Sequence, residues 1–232
     1  MMKSARSAKG SAVPPRGASA AFASATMRQP SAREASRPRT AGNVSFFAAI
    51  YVICAAAALY IRVAFMMLIG EREAAKSSLA DKLLVLLIVA SMVAPLAYIL
   101  TPFLDFANYS LPDMFAWIGI FLIAASLLLL WRSHADLGAN FALTPGVQGE
   151  QSLIKKGVYR RVRHPMYTSL WLWAFSMPLL LHNLIAGAIF LAVFGTFYVA
   201  RVPLEEAHMA KKFGDEYEEY MQETGRLVPR NK

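Results

Sequence analysis

The sequence has few of the residues that soluble or disulfide-stabilised domains depend on. Only 17% of its 232 residues are charged, and it contains a single cysteine, Cys54. One cysteine cannot form an intramolecular disulfide, and its place inside an apolar block indicates a packing role. The low charge, together with 56% hydrophobic residues, excludes an ordinary soluble domain and predicts an integral membrane protein.

Several motifs that carry chemistry are also absent. The chain has no GxGxxG, no phosphate-binding P-loop and no GxSxG nucleophile elbow, which argues against the nucleotide-binding and hydrolase classes that use them. Its four histidines form no i, i+4 pair and have no companion carboxylates at ligand spacing, so no metal is expected. These histidines are His134, His164, His182 and His208.

Positive charge is concentrated in residues 1–42, where eight basic residues face one acid. This stretch is rich in Ala, Ser, Arg and Pro and shows no hydrophobic periodicity, which predicts a disordered basic tail. The formal net charge of +9 therefore does not indicate a nucleic-acid partner. Contact with anionic membrane lipid is the most that the tail suggests.

Five apolar segments follow the tail, at 44–69, 83–102, 113–131, 166–181 and 184–202. Crossing a ~30 Å hydrocarbon layer takes about 20 helical residues. The pattern predicts an all-α, polytopic membrane bundle of about five transmembrane segments. We divide the chain into the tail, N-terminal transmembrane helices at 43–131 and a catalytic region at 132–232.

The last two apolar segments are separated only by His182 and Asn183, which predicts a tight antiparallel hairpin. Such a hairpin returns the chain to its starting level and places Arg201 beside Arg163 and His164. Pro178 is expected inside the first arm, as Pro95 is inside the second apolar segment.

The polar C-terminal stretch after residue 202 predicts one or two short amphipathic helices. Pro203 suits a first helical turn, and Gly214 suits a break between turns. One face combines Phe213, Tyr217, Tyr220 and Met221, and the other combines Lys211, Lys212, Glu218 and Glu219.

The segment GVYRRVRHPMY, residues 157–167, is the strongest candidate for a binding site. Pro165 suits the first turn of a helix, whose N-terminal N–H groups would lie near Arg160, Arg161 and Arg163 and favour a carboxylate or phosphate. With Arg201, Glu205 and Glu206 opposite, both signs of charge suit an amino-acid-like cosubstrate. The alternative is that these arginines only meet lipid phosphates at the membrane surface.

Two blocks of the sequence resemble a known family. DLGANFALTPGVQGEQSLIKKGVYRRVRHPMYTSLWLW and RVPLEEAHMAKKFGDEYEEYMQETGRLVP are similar to the isoprenylcysteine carboxyl methyltransferase family over about residues 131–230. The resemblance implies a membrane enzyme that binds S-adenosylmethionine in a cytosol-facing pocket closed by the C-terminal amphipathic helices. It also implies a lipophilic acceptor that enters from the bilayer.

Site roles follow from this resemblance, position by position. It places the cosubstrate against Tyr159, His164, Pro165, Tyr167 and Glu205, with Arg163 and Arg226 assigned to the same pocket. It makes Arg201 the residue that orients the acceptor, and Glu206 a second catalytic candidate.

The resulting hypothesis is an S-adenosylmethionine-dependent membrane methyltransferase, most similar to the carboxyl O-methyltransferases. The acceptor is a prenylated or small lipophilic molecule, and carboxylate, amine and thiol acceptors stay open, including a phospholipid amine. A rival from another class is an NADPH-dependent sterol-type reductase, and a third is a noncatalytic helical scaffold.

The charge pattern gives conflicting signals about orientation. The basic residues at 132–165 place that loop in the cytoplasm, or on the cytoplasmic side of the inner membrane if the source is bacterial. With three spans before it, the basic tail then lies outside, which the same rule disfavours. Either the first segment does not cross simply or the tail is translocated against its charge, and we favour a cytoplasmic site.

Overall fold

The computed structural model of the protein describes residues 46–69, 79–138 and 152–230. Within these ranges the secondary structure is helical, with isolated backbone bridges and no β-strand, so the all-α prediction is confirmed. The helices are α1 Phe46–Ile69, α2 Leu79–Leu100, α3 Asp113–Leu137, α4 Pro165–Leu181, α5 Leu184–Phe213 and α6 Asp215–Glu223. Two short 3-10 helices cover Pro102–Ala107 and Gly157–Arg160. The expected tail, residues 1–42, lies outside the described residues.

Three described helices are long and apolar enough to cross a membrane: Phe46–Phe65, Asp113–Leu137 and Leu184–Phe213. A shorter apolar stretch covers Leu86–Leu100, and α4 has 17 residues. Large apolar side chains such as Phe121 and Leu128 are 72% and 65% exposed, an arrangement that suits contact with lipid. The chain is an integral membrane protein, and the total of five spans stays a prediction.

The predicted hairpin between α4 and α5 is confirmed, and two residues form its turn. His182 adopts the left-handed conformation with φ 50° and ends α4 within one residue. The Asn183 side chain then caps α5 by accepting a hydrogen bond from the Ala186 N–H at 2.9 Å. The same amide donates to the Leu104 carbonyl at 2.6 Å and to Asn108 Oδ1 at 2.8 Å. These contacts tie the turn to the connection between α2 and α3.

One prediction about helix ends is wrong. Pro203 does not begin a new helix, because α5 runs without a break from Leu184 to Phe213. A proline inside a helix removes one backbone hydrogen bond and costs about 3 kcal/mol in water. Around it, Val202 and Glu206 are buried, and the Arg201–Glu205 ion pair joins the turns on its two sides at 3.1 Å. Gly214 does end the helix, as expected.

The core of the bundle is centred on α4, which contacts both α3 and α5. Its buried side chains include Trp173 and Met177, and those of α5 include Phe190 and Phe194, whose rings stack at 5.6 Å. Ser126 Oγ on α3 donates to the Ser169 carbonyl on α4 at 2.6 Å. Pro95 and Pro178 both lie inside helices, as predicted.

Small residues allow the backbones of α4 and α5 to approach closely. A Cβ added at Gly187 would lie 2.5 Å from Pro178 Cα and 2.9 Å from Pro178 N. Backbone atoms cannot move aside as a flexible side chain can. By contrast, a Cβ at Gly195 on the same helix meets only Trp171 at an ordinary 3.5 Å.

We therefore predict opposite effects for two glycine substitutions on α5. Gly187→Ala should lower the free energy of unfolding by about 1–3 kcal/mol, because the added methyl group forces α4 and α5 apart. Gly195→Ala, the matched control, should leave it unchanged or raise it by up to ~1 kcal/mol through helix propensity. Thermal unfolding of the detergent-purified protein measures both, and equal effects would contradict the close helix approach.

Candidate active site

Three segments that are far apart in sequence meet at the end of the bundle where α4 begins. They are residues 161–168, residues 201–206 of α5, and residues 224–230, which we call the C-terminal strap. The strap runs parallel to the first segment: the Arg163 N–H donates to the Gly225 carbonyl at 2.8 Å, and the His164 N–H donates to the Arg226 carbonyl at 3.1 Å. Thr168 Oγ1 adds a bond to the Leu227 carbonyl at 2.8 Å. The predicted start of α4 at Pro165, after His164, is confirmed.

The first charged group at this end is centred on the buried carboxylate of Glu206. Arg163 Nε lies 3.3 Å and His164 Nε2 3.2 Å from its Oε1. The Arg226 guanidinium binds both carboxylate oxygens, with Nε 3.0 Å from Oε1. The Glu206, Arg163 and His164 side chains are only 10–11% exposed, whereas that of Arg226 is 47% exposed.

The contacts of this group indicate that its main role is structural. Arg163 also donates to the carbonyls of Met221 and Thr224, so it binds the end of α6 to the start of α4. The hydrogen bond to Glu206 raises the pKa of the Arg226 guanidinium, with partial burial acting in the opposite direction. A buried carboxylate that accepts from two guanidinium groups is stabilised as an anion. Glu206 therefore organises the site and is poorly suited to accept a proton.

The second charged group lies one residue earlier on α5 and is less enclosed. Glu205 Oε1 accepts hydrogen bonds from the Tyr167 hydroxyl at 2.8 Å and from Arg201 Nε at 3.1 Å. The Arg201 and Glu205 side chains are 15% and 23% exposed. The Tyr167 ring lies 5.6 Å from that of His164 and 5.8 Å from that of Tyr198. This group thus combines one acid, one cation and aromatic faces.

The structure brings together eight of the nine predicted site residues. Arg163, His164, Glu206 and Arg226 form the first charged group, Tyr167, Arg201 and Glu205 form the second, and Pro165 begins the helix between them. The ninth, Tyr159, is 8% exposed and lies in the 3-10 helix Gly157–Arg160. Its carbonyl accepts a hydrogen bond from the Tyr220 hydroxyl at 2.6 Å, and burial raises the pKa of its own phenol.

The prediction that α6 is amphipathic is confirmed, and its buried face contacts the 3-10 helix that precedes the site. Tyr217 and Tyr220 are buried, whereas Glu218 and Glu219 are exposed. Burial raises the pKa of Tyr217 to about 12, so both tyrosines act as neutral packing and hydrogen-bonding groups near pH 7.

Tyr198 and Thr168 are neighbours of the site that the sequence interpretation did not name. Tyr198 packs on Tyr167, and Thr168 holds the strap through its hydrogen bond to the Leu227 carbonyl. Tyr198, Arg201 and Glu205 follow one another at i, i+3 and i+7, the spacing of one helix face. A helix start at Pro203, which the sequence favours, hides this spacing.

Comparison with known proteins finds similarity to methyltransferases. A family model described as phospholipid methyltransferase matches residues 114–216. The protein-S-isoprenylcysteine O-methyltransferase of Schizosaccharomyces pombe is 35% identical over 115 residues, which are 50% of this chain and 47% of that protein. Isoform B from Arabidopsis thaliana is 30% identical over 118 residues, 49% of this chain and 60% of that protein.

A solved structure with the same fold is that of the eukaryotic intramembrane Ras methyltransferase, an isoprenylcysteine carboxyl methyltransferase. It superposes with a TM-score of 0.51 at 18% identity and covers 78% of this chain and 67% of the other. At 18% identity this likeness shows the fold alone.

The similarity to the phospholipid methyltransferase family model lies in the part of the chain that builds most of the site. The family-model match, residues 114–216, covers α3 to the start of α6 and includes eight predicted site residues, whereas Arg226 follows it. The chain spans about half the length of the curated relatives it matches, from 47% to 61% in two of them. Among the described residues, no group of three His, Cys, Asp or Glu side chains could hold a metal ion.

We predict that Glu206→Ala destabilises the protein and releases the strap. Removing this carboxylate leaves the Arg163 cation buried without its partner, which should cost about 3 kcal/mol of unfolding free energy. Trypsin should then cleave after Arg226 faster than in the unaltered protein. The control is Glu218→Ala, which removes an exposed carboxylate from α6; similar unfolding temperatures and cleavage rates in both variants would contradict the organising role of Glu206.

Proposed function

We propose that the protein transfers a methyl group from S-adenosylmethionine to the carboxylate of a prenylated or similarly lipophilic acceptor. The observation that carries the proposal is the Glu205–Arg201–Tyr167 group, which lies beside His164 at the end of a membrane bundle with the fold of an isoprenylcysteine carboxyl methyltransferase. Relatives of this chain are named protein-S-isoprenylcysteine O-methyltransferases, and their activity is extended to it here.

The residues present fit an amino-acid-like cosubstrate. Glu205 supplies a negative charge for an ammonium group, and the aromatic faces of Tyr167 and Tyr198 favour a cationic sulfonium. His164 and the α4 N-terminus favour a carboxylate. Arg163 holds the shape of this pocket, since its guanidinium already binds Glu206 and two carbonyls.

The chemistry needs positioning more than proton transfer. S-adenosylmethionine supplies an activated methyl group, so the enzyme must hold an acceptor oxygen in line with it at ~3–3.5 Å in a site that excludes water. Arg201 orients the acceptor carboxylate and offsets part of its desolvation cost. Around this position the side chains of Glu205 and Glu206 each accept hydrogen bonds from cationic donors. Neither is poised as a base, which favours a carboxylate over an amine.

A phospholipid amine is the second candidate acceptor, because the matching family model is described as phospholipid methyltransferase. Methylation of an amine requires that a proton leave the nitrogen. Parallel assays with a farnesylated cysteine analogue and with phosphatidylethanolamine vesicles separate the two candidates. Product from the vesicles alone would replace the carboxylate assignment.

We place the site on the cytoplasmic side of the membrane. Lys155, Lys156, Arg160 and Arg161 are exposed beside it, and basic residues close to membrane spans favour that side. The cosubstrate is also supplied from the cytosol. Glycosylation or protease accessibility of a tag after residue 232, in sealed vesicles, tests this orientation.

We predict that the detergent-purified protein binds S-adenosylmethionine and does not bind NADPH. Glu205→Ala should weaken S-adenosylmethionine binding at least ~10-fold, since loss of a charge-assisted contact costs roughly 1.5–3 kcal/mol. The exposed Glu219→Ala should bind like the unaltered protein. Calorimetry with each ligand measures both affinities. Binding of NADPH alone would assign the protein to the reductases. Binding of neither ligand would favour a noncatalytic scaffold.

Arg201→Ala should affect the acceptor and the cosubstrate differently. If Arg201 orients the acceptor, turnover should fall by roughly 100-fold or more, while the dissociation constant of S-adenosylmethionine changes by less than about 5-fold. The expected pattern for Glu205→Ala is a large loss of cosubstrate affinity. Comparable loss of S-adenosylmethionine affinity in both variants would show that Arg201 belongs to the cosubstrate pocket.

A further inference from the structure

We propose that Asp136, at the end of α3, is a positioning residue that fixes the segment carrying the site. This inference rests on the proposed function for its catalytic meaning, but not for its structural basis. Asp136 contacts neither charged group. It acts on the segment Gly157–Arg160, from which the chain continues into Arg163 and His164.

Asp136 holds this segment by a directed contact. Its side chain is 9% exposed, and Oδ2 accepts a hydrogen bond from the Val158 N–H at 2.8 Å. The other oxygen, Oδ1, lies 3.1 Å from the Arg132 guanidinium one helical turn earlier. A buried carboxylate with one oxygen fixed by its own helix can aim the second at a single backbone donor.

Gly157 provides a second, independent observation. Its φ is +57°, a conformation that side chains disfavour, and a Cβ built there would overlap the carboxylate of Asp136. A glycine is therefore required both for the backbone conformation and for the close approach of the carboxylate. The backbone at Gly157 therefore leaves the space that the Asp136 carboxylate occupies.

The path from this anchor to the charged groups is short. Tyr159 follows Val158, and its carbonyl accepts from Tyr220 on α6 at 2.6 Å. Val162 then pairs with Gly225 of the strap, and Arg163 and His164 come next. The segment is fixed at its start by Asp136 and at its end by the strap. Between them Arg160 and Arg161 are exposed and add little to the core.

Loss of the anchor should therefore loosen the segment and leave the bundle folded. Amides held by few contacts exchange through local opening, whereas core amides exchange only on wider unfolding. A loosened segment presents His164 correctly for a smaller fraction of the time, and apparent affinity falls by that fraction. The affinity for the cosubstrate should therefore fall more than the turnover rate at saturating cosubstrate.

The test combines hydrogen exchange with cosubstrate binding and kinetics on the full chain. In Asp136→Ala we expect the Val158–Arg161 amides to exchange at least ~10-fold faster with no change in α4 or α5. We expect the S-adenosylmethionine KM to rise about 10-fold, with kcat within about 3-fold. Asp136→Asn keeps an acceptor oxygen and should recover most of the affinity.

Two further variants complete the design. Gly157→Ala leaves the carboxylate in place but obstructs its approach, and it should reproduce the Asp136→Ala pattern. Arg132→Ala removes the ion pair that fixes Oδ1, and because that guanidinium is 51% exposed, it should give a weaker form of the Asp136→Ala pattern.

Four results would overturn the inference. They are unchanged exchange at Val158 in Asp136→Ala, faster exchange throughout the bundle, faster local exchange with unchanged KM, or no recovery in Asp136→Asn. If the unaltered protein does not bind S-adenosylmethionine, the proposed function fails instead. The exchange data then still decide whether Asp136 holds the segment.

Discussion

The buried carboxylate of Glu206 is the interaction on which the site depends. Burying one anion among apolar helices costs several kcal/mol unless partners compensate it. Its partners come from the start of α4, through Arg163 and His164, and from the C-terminal strap, through Arg226. Because the strap supplies one of them, the charged end of the bundle is complete only after the last part of the chain has folded onto it.

The two adjacent glutamates have separate tasks because neighbouring residues on a helix point in directions about 100° apart. Glu206 points toward the strap and is almost enclosed, whereas Glu205 points along α5 toward Tyr167 and Arg201. The same pair of carboxylates thus provides a rigid ion-pair centre and, beside it, a more open polar group. A ligand can compete for the second group without dismantling the first.

Local signals predicted the parts of the fold that local chemistry decides. His182 and Asn183 marked the hairpin, and Pro165 marked the start of α4. Pro203 misled the interpretation because α5 continues through it, with Val202 and Glu206 buried on either side and Arg201 paired with Glu205 across the turn. No sequence pattern indicated that residues 161–164 pair with Gly225 and Arg226, since this pairing joins segments some 60 positions apart. For the same reason, the sequence does not indicate which glutamate pairs with which arginine.

The strap gives the site a defined geometry and leaves it accessible to ligands. It is held by backbone hydrogen bonds, by Thr168, and by the half-exposed Arg226, and it buries little apolar surface of its own. Such contacts fix a geometry without the large hydrophobic stabilisation that would make opening rare. Asp136 at the end of α3 and the core of α4 and α5 hold the site from the bundle side, and the strap completes it through these backbone contacts and Arg226.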